Sequence, residues 1–168
     1  MDAYLEIRIL PDPEFQASTL MNALFSKLHR GLVEHGGQCI GVSFPEVKET
    51  GAFLGSCLRI HGEANELSKL MTLNWLIGMR DHVEVSAIMP VPSNAKYRVV
   101  RRIQAKSNPE RLRRRLIARK GISEEDAKEA IPDTAAEKLN FPYIVLTSRS
   151  TNQKFRLFCR AFISPRSS

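Results

Sequence analysis

The chain has 168 residues, 43% of them hydrophobic and 26% charged, and a formal net charge of +7. That length and apolar content suit one ordinary domain, or two small ones sharing a core, and exclude a disordered or fibrous chain. No stretch approaches the roughly 18 apolar residues that span a bilayer, Met1-Asp2-Ala3-Tyr4 does not open a signal sequence, and Cys39, Cys57 and Cys159 show no Cys-x-x-Cys spacing, so a cytoplasmic protein with reduced, packed cysteines is expected, with no membrane partner.

In chain order, Tyr4-Leu5-Glu6-Ile7-Arg8-Ile9 alternates with period two and stops at Pro11-Asp12-Pro13, which predicts a strand and a turn. Over residues 17–35, Leu20, Met21, Leu24, Phe25, Leu28 and Leu32 recur at helical spacing, and Gly36-Gly37 supplies the stop. Residues 39–44 read as a strand, 45–54 as a loop, 57–61 as a strand and 65–71 as a helix. An extended segment around residues 82–89 follows Trp75. The order β-α-β-β-α-β predicts an α+β chain opening with a ferredoxin-like domain, an antiparallel four-stranded sheet backed by two helices, the layout of many RNA-recognition modules. Pro90-Val91-Pro92-Ser93-Asn94 interrupts the periodicity, so residues 1–92 are assigned to that domain and 93–168 to a smaller region.

In the smaller region residues 97–104 read as extended. Ser107-Asn108-Pro109-Glu110-Arg111-Leu112-Arg113-Arg114-Arg115-Leu116-Ile117-Ala118-Arg119-Lys120 then reads as a helix, with Asn108 or Ser107 as N-cap, Pro109 at its first position and Gly121 as its stop. A short helix opens at Ser123 and closes at Pro132, and Asp133 or Thr134 caps one more turn. Residues 143–148 and 154–162 form a hairpin about Thr151-Asn152-Gln153, and the polar tail 164–168 is expected to fray. Residues 98–120 hold ten basic side chains and one acid, more positive charge than the net charge of the whole chain, so the remainder is slightly acidic. At about 100° per residue Arg111, Arg114 and Arg115 share a face, with Arg119 at its edge, while Leu112 and Leu116 point elsewhere. Such a stripe suits a phosphate backbone.

Several segments together are specific: Pro11-Asp12-Pro13-Glu14-Phe15, Ile40-Gly41-Val42-Ser43-Phe44-Pro45, the run from Gln104-Ala105-Lys106 through the arginines to Leu116, Ile131-Pro132-Asp133-Thr134, and Phe155-Arg156-Leu157-Phe158. Through most of its length the chain resembles the CRISPR repeat-processing endoribonuclease of type I-F systems, the Csy-type family. The resemblance implies an enzyme that binds the repeat hairpin of precursor CRISPR RNA and cuts once at its 3′ base. It implies attack by a ribose 2′-hydroxyl to give a 2′,3′-cyclic phosphate, retention of the mature guide RNA, and work alongside other subunits of a type I-F surveillance complex. One departure stands out. The family continues past Phe-Arg-Leu-Phe into a glycine-rich segment with a Tyr-Gly-Leu-Ser type motif, where this chain reads Ala161-Phe162-Ile163-Ser164-Pro165-Arg166-Ser167-Ser168. A family tyrosine in that segment is therefore not carried over. The alternative expectation is a catalytically incomplete hairpin-binding subunit; a general basic nucleic-acid binder rests on charge alone.

Cleavage of this kind needs a base for the 2′-hydroxyl, a group that holds the ribose in line, and protonation of the leaving 5′-oxygen. A histidine of ordinary pKa, about 6.5, can be that base. Among His29, His35, His61 and His82, the residues alone make His29 an interfacial side chain at the margin of an apolar stripe; the resemblance makes it catalytic. Ser148 and Ser150 flank Arg149 and read on their own as part of a turn; the resemblance makes Ser148 the ribose-orienting serine, with Ser150 beside it. Arg102 and Gln104, two apart in an extended segment, are two solvated side chains or a pair suited to guanine and adenine edges. The resemblance assigns them base reading. It also assigns Phe155 to stacking on the terminal base pair, where the residues alone leave core and stacking equally open, and it gives Arg111, Arg114, Arg115, Arg119 and Lys120 to the RNA backbone. No Asp-x-Asp pair, His-x-x-x-His or glycine-rich phosphate loop stands out, so neither metal nor cofactor is expected.

Overall fold

A computed structural model of the chain describes residues 1–36, 39–48, 51–96, 98–104, 108–135, 139–148 and 150–163. Gly37, Tyr97, Ala105, Lys106, Ser107, Arg149 and the tail 164–168, all used in the sequence reading, lie outside the described residues. The elements run β1 (Ala3–Ile9), α1 (Ala17–His35), β2 (Gly41–Ser43), β3 (Cys57–Gly62), α2 (Ala64–Thr72), β4 (Val83–Val85), β5 (Met89–Pro90), β6 (Arg98–Ile103), α3 (Pro109–Lys120), α4 (Glu124–Ala130), β7 (Tyr143–Thr147) and β8 (Lys154–Ile163). Short 3-10 turns occupy Arg80–His82 and Asp133–Ala135. The chain forms two units, Met1–Arg102 with the segment from Phe141 onward, and Ile103–Asn140.

Period-two alternation in β1 buries Ala3, Leu5, Ile7 and Ile9 on one face, and in β3 it buries Leu58 and Ile60. Leu20, Met21, Leu24 and Leu28 of α1 and Leu67 and Leu70 of α2 join them in one core. The strand order is β2-β3-β1-β4, with β1 antiparallel to both β3 and β4 and β2 antiparallel to β3. This is the ferredoxin-like arrangement that the element order predicts. Helix α1 ends where expected because Gly36 adopts φ 69° and its N–H reaches the Leu32 carbonyl at 3.1 Å, a left-handed cap that a side chain would resist.

The extended segment expected over residues 82–89 is split. Ile7 pairs with Val85 but Tyr4 pairs with Met89, so the register slips by one residue between β4 and β5, which is a bulge. Ser86 fills the gap: its hydroxyl accepts from the Glu6 N–H at 2.9 Å while its own N–H donates to the Glu6 carbonyl at 2.9 Å. Strand β2 is also shorter than expected, beginning at Gly41. Cys57 and Cys159 are buried free thiols as anticipated, whereas Cys39 is exposed and packs no core.

A second sheet, ordered β6-β8-β7, belongs to the first unit but for Ile103 at the end of β6. The expected hairpin is its β7–β8 pair, in register from Tyr143 opposite Phe158 to Thr147 opposite Lys154. Ile144 and Cys159 reach into the same core as α1, so one apolar interior serves both sheets. Among the described residues no helix is long and apolar enough to cross a membrane.

Gly31 fixes how closely α1 seats on the chain around Trp75. A Cβ at Gly31 would lie 2.9 Å from Trp75 Cγ and 3.1 Å from both Cβ and Cδ1, with no room for a methyl group. Glycine to alanine in a helix ordinarily gains about 1 kcal/mol of propensity, but overpacking costs about 1–3 kcal/mol, so the clash should win. Gly31→Ala is expected to lower the urea midpoint without changing the slope, and an unchanged or raised midpoint would show that α1 has slack here.

Candidate functional site

Helix α3 forms because its ends are satisfied locally. The Asn108 side chain accepts from the Arg111 N–H at 3.3 Å, Pro109 takes the first helical position, and Gly121 at φ 61° closes the far end. Arg111, Arg114, Arg115, Arg119 and Lys120 are all exposed, while Leu112, Leu116 and Ile117 are half-buried. Arg113 differs from its neighbours. Its side chain is only 14% exposed, donates from Nε to the Ile131 carbonyl at 2.7 Å and pairs through Nη2 with Asp133 at 2.6 Å. One arginine of the run is thus a clamp to the chain after α4. Among the described residues the five exposed cations have no carboxylate partner, which leaves their charge available to a polyanion.

In the first unit, β7 lies along α1. The Val145 N–H, on the edge of β7 away from β8, donates to Asn22 Oδ1 at 2.9 Å, and the Tyr143 N–H donates to the Ala52 carbonyl at 3.1 Å. A hollow beside this seam is lined by Ser18, Met21 and Asn22 from α1, Tyr143 and Val145 from β7, and Phe53. The hollow thus draws on the first half of α1 and the first half of β7. His29 lies seven residues beyond Asn22 on the same helix face, an advance of about 10 Å, and Ser148 lies three residues beyond Val145, again about 10 Å.

The Ser148 hydroxyl is 3.2 Å from that of Ser150 and accepts from the Thr151 N–H at 3.3 Å. The Ser148 backbone is fixed as well, donating to the Gln153 carbonyl and accepting from the Asn152 N–H, both at 2.9 Å. Asn152 takes φ 55°, a turn conformation that asparagine tolerates. The Ser-Arg-Ser run is thus both a turn and a rigid mount for hydroxyls.

Of the four histidines, three are engaged in the fold. His35 Nε2 is 3.3 Å from Glu66, joining α1 to α2; His61 Nε2 is 2.7 Å from the Ser43 hydroxyl; His82 Nδ1 is 2.9 Å from Asp12. The amides of Glu14 and Phe15, followed by His82, hold the Asp12 carboxyl below its ordinary pKa. His29 is exposed and, among the described residues, makes no hydrogen bond or ion pair. Arg102 is exposed on β6 in the first unit, and Gln104, also exposed, follows one residue after the strand and falls in the second. Phe155 begins the face of β8 that Leu157 and Cys159 continue into the core, yet it is 40% exposed. Phe158 packs on Tyr143, ring centroids 5.4 Å apart, on the other face. Among the described residues no three His, Cys, Asp or Glu side chains gather as metal ligands.

Sequence reasoning passed over Asn22. Its signal was a poor helix former set between Met21 and Leu24, in the row Ser18, Asn22, Ser26, His29 that spacing places beside the apolar stripe.

The family model described as CRISPR-associated protein (Cas_Csy4) matches residues 4–165. The chain is 53% identical over 160 residues to the CRISPR-associated endonuclease Cas6/Csy4 of Pseudomonas aeruginosa (strain UCBPP-PA14), an alignment covering 95% of this chain and 86% of that protein. It is 45% identical over 160 residues to the CRISPR-associated endonuclease Cas6/Csy4 of Escherichia coli (strain UTI89 / UPEC), covering 95% and 85%.

The engaged histidines carry a pH signature. Burial, followed by the Arg59 charge, holds His61 below its ordinary pKa, so the unfolded chain takes up a proton there more readily than the folded chain. Stability from neutral His61 is fully present above about pH 6.5 and is lost as pH falls from there toward the lower folded value. Urea denaturation at about pH 7.5 and about pH 5.5 should show a smaller loss on acidification in His61→Gln than in the parent. Equal losses would remove His61 from the acid response.

Proposed function

Because the chain belongs to the Csy4 family of CRISPR-associated proteins, we propose that it is an endoribonuclease that binds the repeat hairpin of precursor CRISPR RNA and cuts at the hairpin's 3′ base. The observation that supports the chemistry is that His29, exposed and among the described residues without a hydrogen bond or ion pair, stands on the helix that Asn22 ties to the strand leading to Ser148.

His29 takes the proton from the ribose 2′-hydroxyl, and the Ser148 hydroxyl, held by Ser150 and the Thr151 N–H, orients that ribose. The 2′-oxygen bonds to the adjacent phosphorus, the bond from phosphorus to the 5′-oxygen breaks, and that oxygen takes a proton from solvent water while His29 later returns its own proton to solvent. The products are a 2′,3′-cyclic phosphate and a 5′-hydroxyl. None of these groups needs a metal ion, so cutting should persist in EDTA. The exposed Arg111, Arg114, Arg115, Arg119 and Lys120 follow the phosphates of the stem. Arg102 and Gln104 read base edges near its open end, where an A-form major groove becomes accessible, and Phe155 stacks on the terminal pair. Tight backbone contacts keep the guide RNA bound after the cut. A cytoplasmic place beside other subunits of a type I-F surveillance complex fits this role, with the slightly acidic remainder of the surface left for them.

With a repeat hairpin in EDTA, His29→Ala should cut about 10²- to 10⁴-fold more slowly at unchanged affinity, the contribution of a positioned base. Equal cutting by the variant would sink the assignment, and a parent chain that binds without cutting would make it a hairpin-binding subunit. Replacing Arg114 or Arg115 by alanine should weaken binding and lower the salt slope by about one unit per charge, which a titration from low to physiological salt reads directly.

A further inference from the structure

The catalytic assignment needs His29 and Ser148 to hold one geometry, yet they sit on elements from opposite ends of the chain. Helix α1 is seated by its apolar stripe, whose hydrophobic burial is itself non-directional. A directional contact between the two elements is the bond from the Val145 N–H to Asn22 Oδ1 at 2.9 Å, spanning 123 residues of sequence. Among the described residues the Val145 N–H is a sheet-edge donor with no strand beside it, and the half-buried Asn22 answers it. Its place on the helix matters as much as its chemistry. Asn22 lies two turns before His29 on one face, and Val145 three residues before Ser148, so any slide of β7 along α1 moves Ser148 relative to His29 by the same amount.

We propose that Asn22 is a positioning residue for RNA cleavage: its side-chain carbonyl oxygen locks the register of β7 against α1 and thereby sets the separation of the ribose-holding serine from the base. The proposal rests on the assignment of His29 and Ser148 above. Asn22 touches neither substrate nor reacting atoms in this role. Its removal should lower the rate of the bond-breaking step and leave the grip on the hairpin intact, because the cations of α3 do not depend on it.

The test uses the full chain and a repeat hairpin under single turnover at saturating protein. Asn22→Leu keeps the size and removes the acceptor, and Asn22→Ala removes both. Each should cut about 100-fold more slowly than the parent, the scale set by a displacement of about 1 Å at a reacting centre, with hairpin affinity unchanged. Asn22→Asp retains an oxygen in the accepting position and should recover most of the rate, a rescue that a residue acting through packing alone would not give. Parent-like rates in both acceptor-free variants overturn the proposal. So does loss of rate, affinity and thermal midpoint together without rescue by aspartate. His29→Ala run alongside separates the two levels: an inactive His29→Ala with an active Asn22→Leu sinks the positioning role alone. A parent-like His29→Ala, or a parent chain that does not cut, sinks the assignment beneath it as well.

Discussion

Helix α1 has to satisfy two neighbours of different kinds at once. One side of it is oily and closes over the ferredoxin-like sheet through Leu20, Leu24 and Leu28, with Gly31 admitting Trp75. The adjoining row, from Ser18 through Asn22 to His29, is polar and faces the second sheet's edge and solvent. Burial of each leucine contributes about 1.5–3 kcal/mol and is tolerant of small rotations; the bond to Val145 contributes about 1 kcal/mol and is not. Strength and direction are thus divided between the two rows. The large term decides that α1 packs, and the small one ties it to a particular residue of β7.

A related division runs through α3. Arg111 and Arg115, and Arg115 and Arg119, stand four residues apart, where like charges repel by a few tenths of a kcal/mol. The helix is held against that by its caps, its half-buried Leu112, Leu116 and Ile117, and the Arg113 clamp to Ile131 and Asp133. The helix therefore carries like-charge repulsion of a kind that any polyanion would relieve. Charge on such a surface is most useful when the protein does not neutralise it internally, and among the described residues the arginine of α3 that is paired, Arg113, is the one turned inward.

Much of this was readable in the sequence wherever the cause is local. Helix α1 was bounded correctly because apolar spacing and Gly36 suffice, and α3 because Asn108, Pro109 and Gly121 each act within one turn. The ferredoxin-like order followed from the alternation of elements. What escaped depends on partners far away in sequence. The split of the last strand of the first sheet turns on Ser86 replacing a ladder bond to Glu6, eighty positions distant. The pairing of β6 with β8, which makes the hairpin a three-stranded sheet, has no signature in either strand. His29 stood among four histidines, and the distinction between it and His35, His61 and His82 lies in the carboxylates and the hydroxyl that engage the others.

The 123-residue separation between Asn22 and Val145 also has a meaning in time. Contacts between distant segments close late, and chains emerge from the ribosome at about 5–20 residues per second. After Asn22 has been added, roughly 6–25 s pass before Val145 is made. Throughout that interval Asn22 has no Val145 N–H to answer, and α1 can seat only on strands of the first sheet as each is made. The register between α1 and β7 is therefore a feature that a growing chain can set only late, long after the helix itself has formed.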